Sequence, residues 1–204
     1  MGIDESIVQL GQKLDVWWNG FSPMLDSEDR ATQGDALRPG FAIAKEFDRL
    51  KADGLATLTA LLDRHDPVAD DERAASLIRG FEFAARLADT LHDEFRDTAD
   101  GETKVLRLMD AIVKSLDAIG SGRAALGALL NHPNAGVRAL AGAYLIDLMP
   151  DRVVPMLRDI TDSEDANSAH FRASWALLAW QRERKSRFNY LSGTSTPVGA
   201  PSTP

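Results

Sequence analysis

Three features of this 204-residue chain predict an all-α fold. Apolar residues recur at alternating intervals of three and four along most of its length, the spacing of one helix face. No run alternates apolar and polar residues between hairpin turns, as a half-buried strand would. Gly, Pro and Asn stand between the periodic segments, where helices stop and start.

Taken in order, Ile3, Ile7, Leu10, Leu14, Trp17 and Phe21 form one helical stripe. Residues 22–40, SPMLDSEDRATQGDALRPG, lose the period and carry Pro, Gly, Ser and Asp, which predicts a long loop, with Pro39 opening the next helix. Ile43, Phe47 and Leu50 resume the pattern, Gly54 is expected to break it, and Leu55, Leu58, Leu61 and Leu62 carry it to His65-Asp66-Pro67. From Asp70 to about Phe95, Ala74, Leu77, Phe81, Ala84, Ala88 and Leu91 predict a long helix with a charged opposite face. Asp100-Gly101 reads as punctuation, and Val105, Leu108, Ile112, Leu116 and Ile119 as a helix ending at Gly120-Ser121-Gly122. Short helices are expected over 122–131 with Ser121 as a cap, 135–148 capped by Asn134, 152–161 capped by Asp151, and about 166–185. The sum is about nine helices. The Ser/Thr/Gly/Pro-rich end, SGTSTPVGAPSTP, predicts a disordered tail.

Composition narrows the chemistry. With 44% hydrophobic and 26% charged residues the chain is of globular type. It contains no cysteine, which removes thiolate nucleophiles, disulfides and cysteine-ligated metals together. A formal charge of −8 disfavours phosphate backbones as partners. The opening residues lack a basic stretch leading into an apolar run, and no apolar stretch reaches about 18 residues, so a cytoplasmic chain without a membrane span is expected.

No HExxH, GxSxG or GxxxxGK[ST] motif occurs. Gly120-Ser121-Gly122 joins two helices and so fails the strand-to-helix context of a dinucleotide loop. His65, His92, His132 and His170 lack ligand spacing, and His65 and His132 read as turn residues. Asp162, Glu164, Asp165 and His170 could together face a cation or a basic partner, although acidic residues ahead of a helix also suit its dipole. No metal or other cofactor is expected. Arg182, Arg184, Lys185 and Arg187 suit the end of the last helix in the same way. Trp17 belongs to the apolar stripe; Trp18, about 100° round the helix, is a candidate interface anchor. Trp175 and Trp180 lie roughly 140° apart, so one of them, taken here as Trp180, should reach a surface.

Two internal echoes point to repetition. Gly54–Leu62 (GLATLTALL) and Gly122–Leu130 (GRAALGALL) agree at six of nine positions, and Val137-Arg138-Ala139 is echoed by Phe171-Arg172-Ala173 at an offset of 34 residues. With its ALLNHPN turn, Val137-Arg138 opening and Met149-Pro150-Asp151 stop, the segment from Gly122 to Thr161 resembles HEAT-type repeats. Residues of about 100 to 183, ending in ASWALLAWQRE, are similar to a small bacterial HEAT-like family of uncharacterised function. The resemblance implies an α-solenoid of stacked antiparallel helix pairs, with an N-terminal helical region over 1–95, a repeat domain over 96–187 and a tail over 188–204. Small residues Ala139, Ala141, Gly142 and Ala143 would admit close helix packing, and Arg138 and Arg172 would hold a carboxylate or carbonyl of the adjacent turn.

The function this implies is non-catalytic protein binding, as in an immunity protein or antitoxin that occludes a bacterial toxin. A toxin whose substrate is nucleic acid has a basic groove, and an acidic partner is steered to it. Asp162, Glu164, Asp165, His170, Trp180 and Trp18 are the candidate partner-binding residues. The alternatives are a HEAT-like DNA glycosylase, which needs a basic groove with a catalytic carboxylate, and a scaffold or regulatory subunit of a larger assembly.

Overall fold

The computed structural model describes residues 2–25, 30–64, 70–94, 99–120, 122–163 and 168–183, and their side chains apart from those of 21–25, 30–44, 92–94, 99–101 and 183. The described residues are all-helical, without a strand. They form α1 (Ile3–Leu25), α2 (Arg30–Leu62), α3 (Asp70–Glu94), α4 (Ala99–Asp117), a 3₁₀ helix (Arg123–Asn131), α5 (Ala135–Leu145), α6 (Pro150–Thr161) and α7 (Ser168–Glu183). The caps expected of Ser121, the turn at His65 and the tail from residue 188 lie outside the described residues.

Two compact units divide the chain, Met1–Ala125 and Leu126–Pro204. In the first, α1 packs on α2 and α3, and α3 also packs on α2 and α4. The expected stripe of α1 is its buried face: Ile7, Leu10, Leu14 and Trp17 are all nearly inaccessible. α3 is central, and burial extends beyond one stripe to include Phe81, Phe83, Ala84, Ala85, Leu87 and Ala88. Small residues let its neighbours approach: a Cβ on Gly80 would stand 2.6 Å from Leu61 Cδ2 on α2. α1 is tied to α3 at two points, by Asp4 to Arg79 (2.8 Å) and Ser76 (2.9 Å), and by Asp15 to Arg86.

The loop expected over 22–40 is corrected. α1 runs on to Leu25 and α2 begins at Arg30, so Pro39 lies inside a 33-residue helix and does not open it. Arg30, Ala31, Gln33, Ala36, Leu37 and Arg38 are good helix formers, and Pro and Gly lower helix stability locally without dictating a boundary. Gly54 does not break α2 either. Its missing side chain marks a second close approach to α3, where a Cβ would meet Phe83 Cε1 at 2.8 Å. The continuous α2 explains why the described residues hold seven α-helices and one 3₁₀ helix in place of about nine helices. Likewise Asp100 and Gly101 lie within the first turn of α4 and do not precede it.

After α4, Gly122 adopts φ +58°, a left-handed conformation that glycine tolerates, and the chain turns into the 3₁₀ helix. Asp117 Oδ1 accepts the Arg123 backbone N–H at 3.0 Å, which satisfies the start of that helix. The two segments of the first internal echo therefore differ in conformation: GLATLTALL closes α2, whereas GRAALGALL is 3₁₀.

In the second unit α5 packs on α6 and α7, and α6 on α7. α5 is buried almost all round, with Val137, Leu140, Tyr144 and Leu145 among its core residues. Gly142, unexpected inside a helix, lies where α6 crosses. α6 has Pro150 in its first turn and an N-cap at Met149, which makes no side-chain capping bond; Asp151, expected as the cap, sits inside the first turn and there favours the helix dipole. Its Val153, Leu157 and Ile160 supply one buried face.

Candidate functional site

Charge divides unequally between the two units. Residues 1–125 carry 24 acidic against 15 basic side chains, a net −9, whereas residues 126–204 carry 7 against 8, a net +1. Several acids of the first unit are exposed, including Asp53, Asp63, Asp70, Asp71 and Glu72. Glu46 and Asp48 are exposed as well but locally paired, Glu46 with Arg49 at 2.6 Å and Asp48 with Lys51 at 3.0 Å. The guanidinium of Arg49, hydrogen-bonded to Glu46 Oε1, holds that carboxyl below the usual carboxylate range, with Lys13 adding a smaller pull.

Beside Glu46 a groove of about 760 Å³ runs between α1 and α2. Trp17 and Leu50 line it deep in the packing, Gln9, Gln12 and Lys13 supply polar groups, and Val16 stands 74% exposed at it. The stripe that buries Trp17 leaves Val16 outside the core. The Trp17 ring is fixed by stacking on Phe47, with centroids 4.3 Å apart. Trp18 is half-buried, tilted 40° to Trp17 at 6.2 Å. This arrangement offers an amphipathic slot on an acidic body, suited to a side chain with an apolar stem.

The second unit presents a different surface. Between the 3₁₀ helix and α5, Asn134 Oδ1 accepts the Val137 N–H at 2.9 Å, the cap expected from sequence. His132 Nδ1 accepts the Asn134 N–H at 3.1 Å, so the proton of the neutral ring belongs on Nε2. Arg138 Nη1 donates to the carbonyls of His132 (2.7 Å) and Pro133 (2.8 Å), which is the role its position implied. Its guanidinium thus fastens the turn. A concavity of about 590 Å³ flanks the turn, lined also by Met156, Asp159 and Ile160. Arg172 is buried, at 8% exposed.

Of the candidate partner-binding residues, Asp162 is exposed at the end of α6, and His170 and Trp180 are half-buried on α7. Glu164 and Asp165 lie outside the described residues, and Trp18 belongs to the first unit. Helical geometry places Trp180 on the side of α7 that carries Ala169, Ala173 and Ala176, all buried, whereas Trp175 shares a side with Phe171 and Leu178. Phe171 is 58% exposed and Leu178 45%. Neither was singled out from sequence; their seven-residue spacing on the face opposite the alanines is the signal that was there to find.

Among the described residues no group of three or more His, Asp or Glu is placed to hold a metal ion, and no helix is long and apolar enough to cross a membrane. The fold and these surfaces define an all-helical protein with an acidic unit, an apolar groove and an exposed apolar helix ridge. Comparison with protein-family models, curated proteins and solved structures finds no match.

Proposed function

We propose that this chain is a non-catalytic protein-binding module, an immunity protein that neutralises a toxin by occupying a basic substrate groove with an acidic surface. The observation that carries the proposal is the confinement of the whole acidic excess to residues 1–125. Charge kept purely for solubility has no need to be segregated, whereas a surface that steers a basic partner does. The slot at Val16 and Trp17 supplies what such a surface otherwise lacks, a place for an apolar contact at the centre of the interface. Trp18, whose ring contacts that of Trp17, is a further contact of the first unit, and Asp162, Glu164, Asp165, His170 and Trp180 are secondary contacts in a unit whose charge is balanced. HEAT-like stacked helix pairs in a cytoplasmic bacterial protein are the scaffold this proposal assumes, on the strength of the turn and repeat motifs around Asn134 and Arg138.

The test is affinity capture from nuclease-treated native lysate, followed by titration of the purified partner at increasing salt. A stoichiometric basic protein is expected, with affinity falling as ionic strength rises and with its toxic activity suppressed by this chain. Retention of nucleic acid in an untreated lysate, or affinity indifferent to salt, would overturn the proposal.

A further inference from the structure

The turn between the 3₁₀ helix and α5 holds a titratable side chain in a structural bond. His132 Nδ1 accepts the backbone N–H of Asn134, two residues further on, at 3.1 Å. An asparagine or aspartate oxygen makes this bond in an Asx turn, and an imidazole imitates it only while Nδ1 carries no proton. Two more fastenings rest on the same few residues. Asn134 Oδ1 caps α5 through the Val137 N–H at 2.9 Å, and Arg138 Nη1 holds the carbonyls of His132 and Pro133. From this juxtaposition we propose that the turn is a proton-operated latch, closed by neutral His132 and loosened when the ring becomes imidazolium.

The reason is the reversal of one hydrogen-bonding role. Imidazolium carries N–H on both ring nitrogens, so Nδ1 would face the Asn134 N–H as a second donor. The ring must then turn away and leave that backbone N–H without its partner. Asn134 holds the extended backbone of an N-cap, at φ −75° and ψ 123°, so freeing its N–H loosens the residue that caps α5. Val137 and Leu140, within the next two turns, are core residues, which carries the effect into the packing of the second unit. Two charged groups face the same concavity. Arg138 on α5, anchored at the carbonyl of His132 itself, opposes a second cation there, and Asp159 on α6 favours one. Asn131, Met156, Ile160 and Ser163 line it without adding charge. The two charges act in opposite directions, so the donor–acceptor reversal sets the sign. The latch contributes in full above the ordinary imidazole range, about pH 6.5, and is lost as pH falls below it.

The inference does not depend on the toxin proposal, and its test needs only the purified full chain. His132→Asn supplies an acceptor that does not titrate and should keep the turn closed at every pH, whereas His132→Ala removes the acceptor at every pH. Urea unfolding of the second unit at about pH 8 and about pH 5 compares them. The wild-type folding equilibrium constant should fall about three- to tenfold more than that of His132→Asn between these conditions. His132→Ala should lie about three- to tenfold below His132→Asn at both. Independently, ¹⁵N NMR of the wild type should show the Nε2–H tautomer at the higher pH, with the Asn134 amide resonance shifting at the same midpoint as the His132 ring. A wild-type profile parallel to that of His132→Asn overturns the inference. So does an Asn134 amide that does not follow the ring, a readout that decides the matter alone if the variants fail to fold.

Discussion

Replacing Gly142 by alanine sets helix propensity against packing within α5. Propensity alone favours Ala by about 1 kcal/mol. The added Cβ, however, would stand 2.9 Å from Met156 Cε, 3.1 Å from Leu157 Cδ2 and 3.3 Å from Val153 Cγ1. The methionine end can swing aside, but Leu157 and Val153 are 0% exposed and sit in the interface between α5 and α6. Overpacking of this kind costs about 1–3 kcal/mol, which leaves Gly142→Ala destabilising by about 1 kcal/mol. Gly20 in α1 provides the control, because nothing lies within 4 Å of its Cβ position. There Gly→Ala should stabilise by up to about 1 kcal/mol, so the same substitution changes sign between the two helices. Urea unfolding, followed by circular dichroism and by tryptophan fluorescence, resolves the difference: Trp17 and Trp18 report the first unit and Trp175 and Trp180 the second. If Gly142→Ala proves as stabilising as Gly20→Ala, the close approach of α6 to α5 is wrong.

Three further outcomes are expected. Arg138→Met removes two charge-assisted bonds to the His132 and Pro133 carbonyls and should destabilise the second unit by about 1–3 kcal/mol; Asn134→Ala should cost about 1 kcal/mol, and the double variant less than the sum, because both residues fasten one turn. Trp17→Ala, which empties the stack on Phe47, should cost about 3–5 kcal/mol in urea unfolding of the first unit, with half-buried Trp18→Ala costing clearly less. The Glu46 carboxyl should titrate by NMR below an ordinary glutamate and return toward the ordinary value in Arg49→Gln. Since its pKa is lowered on folding, whatever this exposed pair contributes is present above the ordinary glutamate pKa and is lost as pH falls through the lowered one.

Much of this architecture is legible in the sequence because burial follows period. The stripe from Ile7 to Trp17 and the run from Ala74 to Leu91 are the buried faces of α1 and α3, and Asn134 and Arg138 act as their positions imply. What sequence misplaces are the glycines and prolines. Gly54 reads as a helix break, yet like Gly80 it is where a neighbouring helix leaves no room for a Cβ, a tertiary fact absent from local pattern; at Gly142 the close packing expected of the small residues of α5 is what the structure has. Gly122, of the same residue type, does stand between helices, where its positive φ turns the chain into the 3₁₀ helix. The surfaces were partly legible: net charge is a sum over the chain, and its confinement to one unit emerges only once the contacts divide the molecule. On α7 the exposure falls on Phe171 and Leu178 and not on the tryptophans, because the alanines at 169, 173 and 176 take the packed face, which composition alone does not reveal.

Titrating the captured partner against the chain across a salt series asks whether the chain binds a basic protein through its acidic unit. The proposal predicts a one-to-one complex that weakens steadily with ionic strength and weakens further when exposed acids of the first unit, Asp53 and Asp63 among them, are replaced by Asn or Gln. Binding unmoved by both salt and those replacements would contradict it.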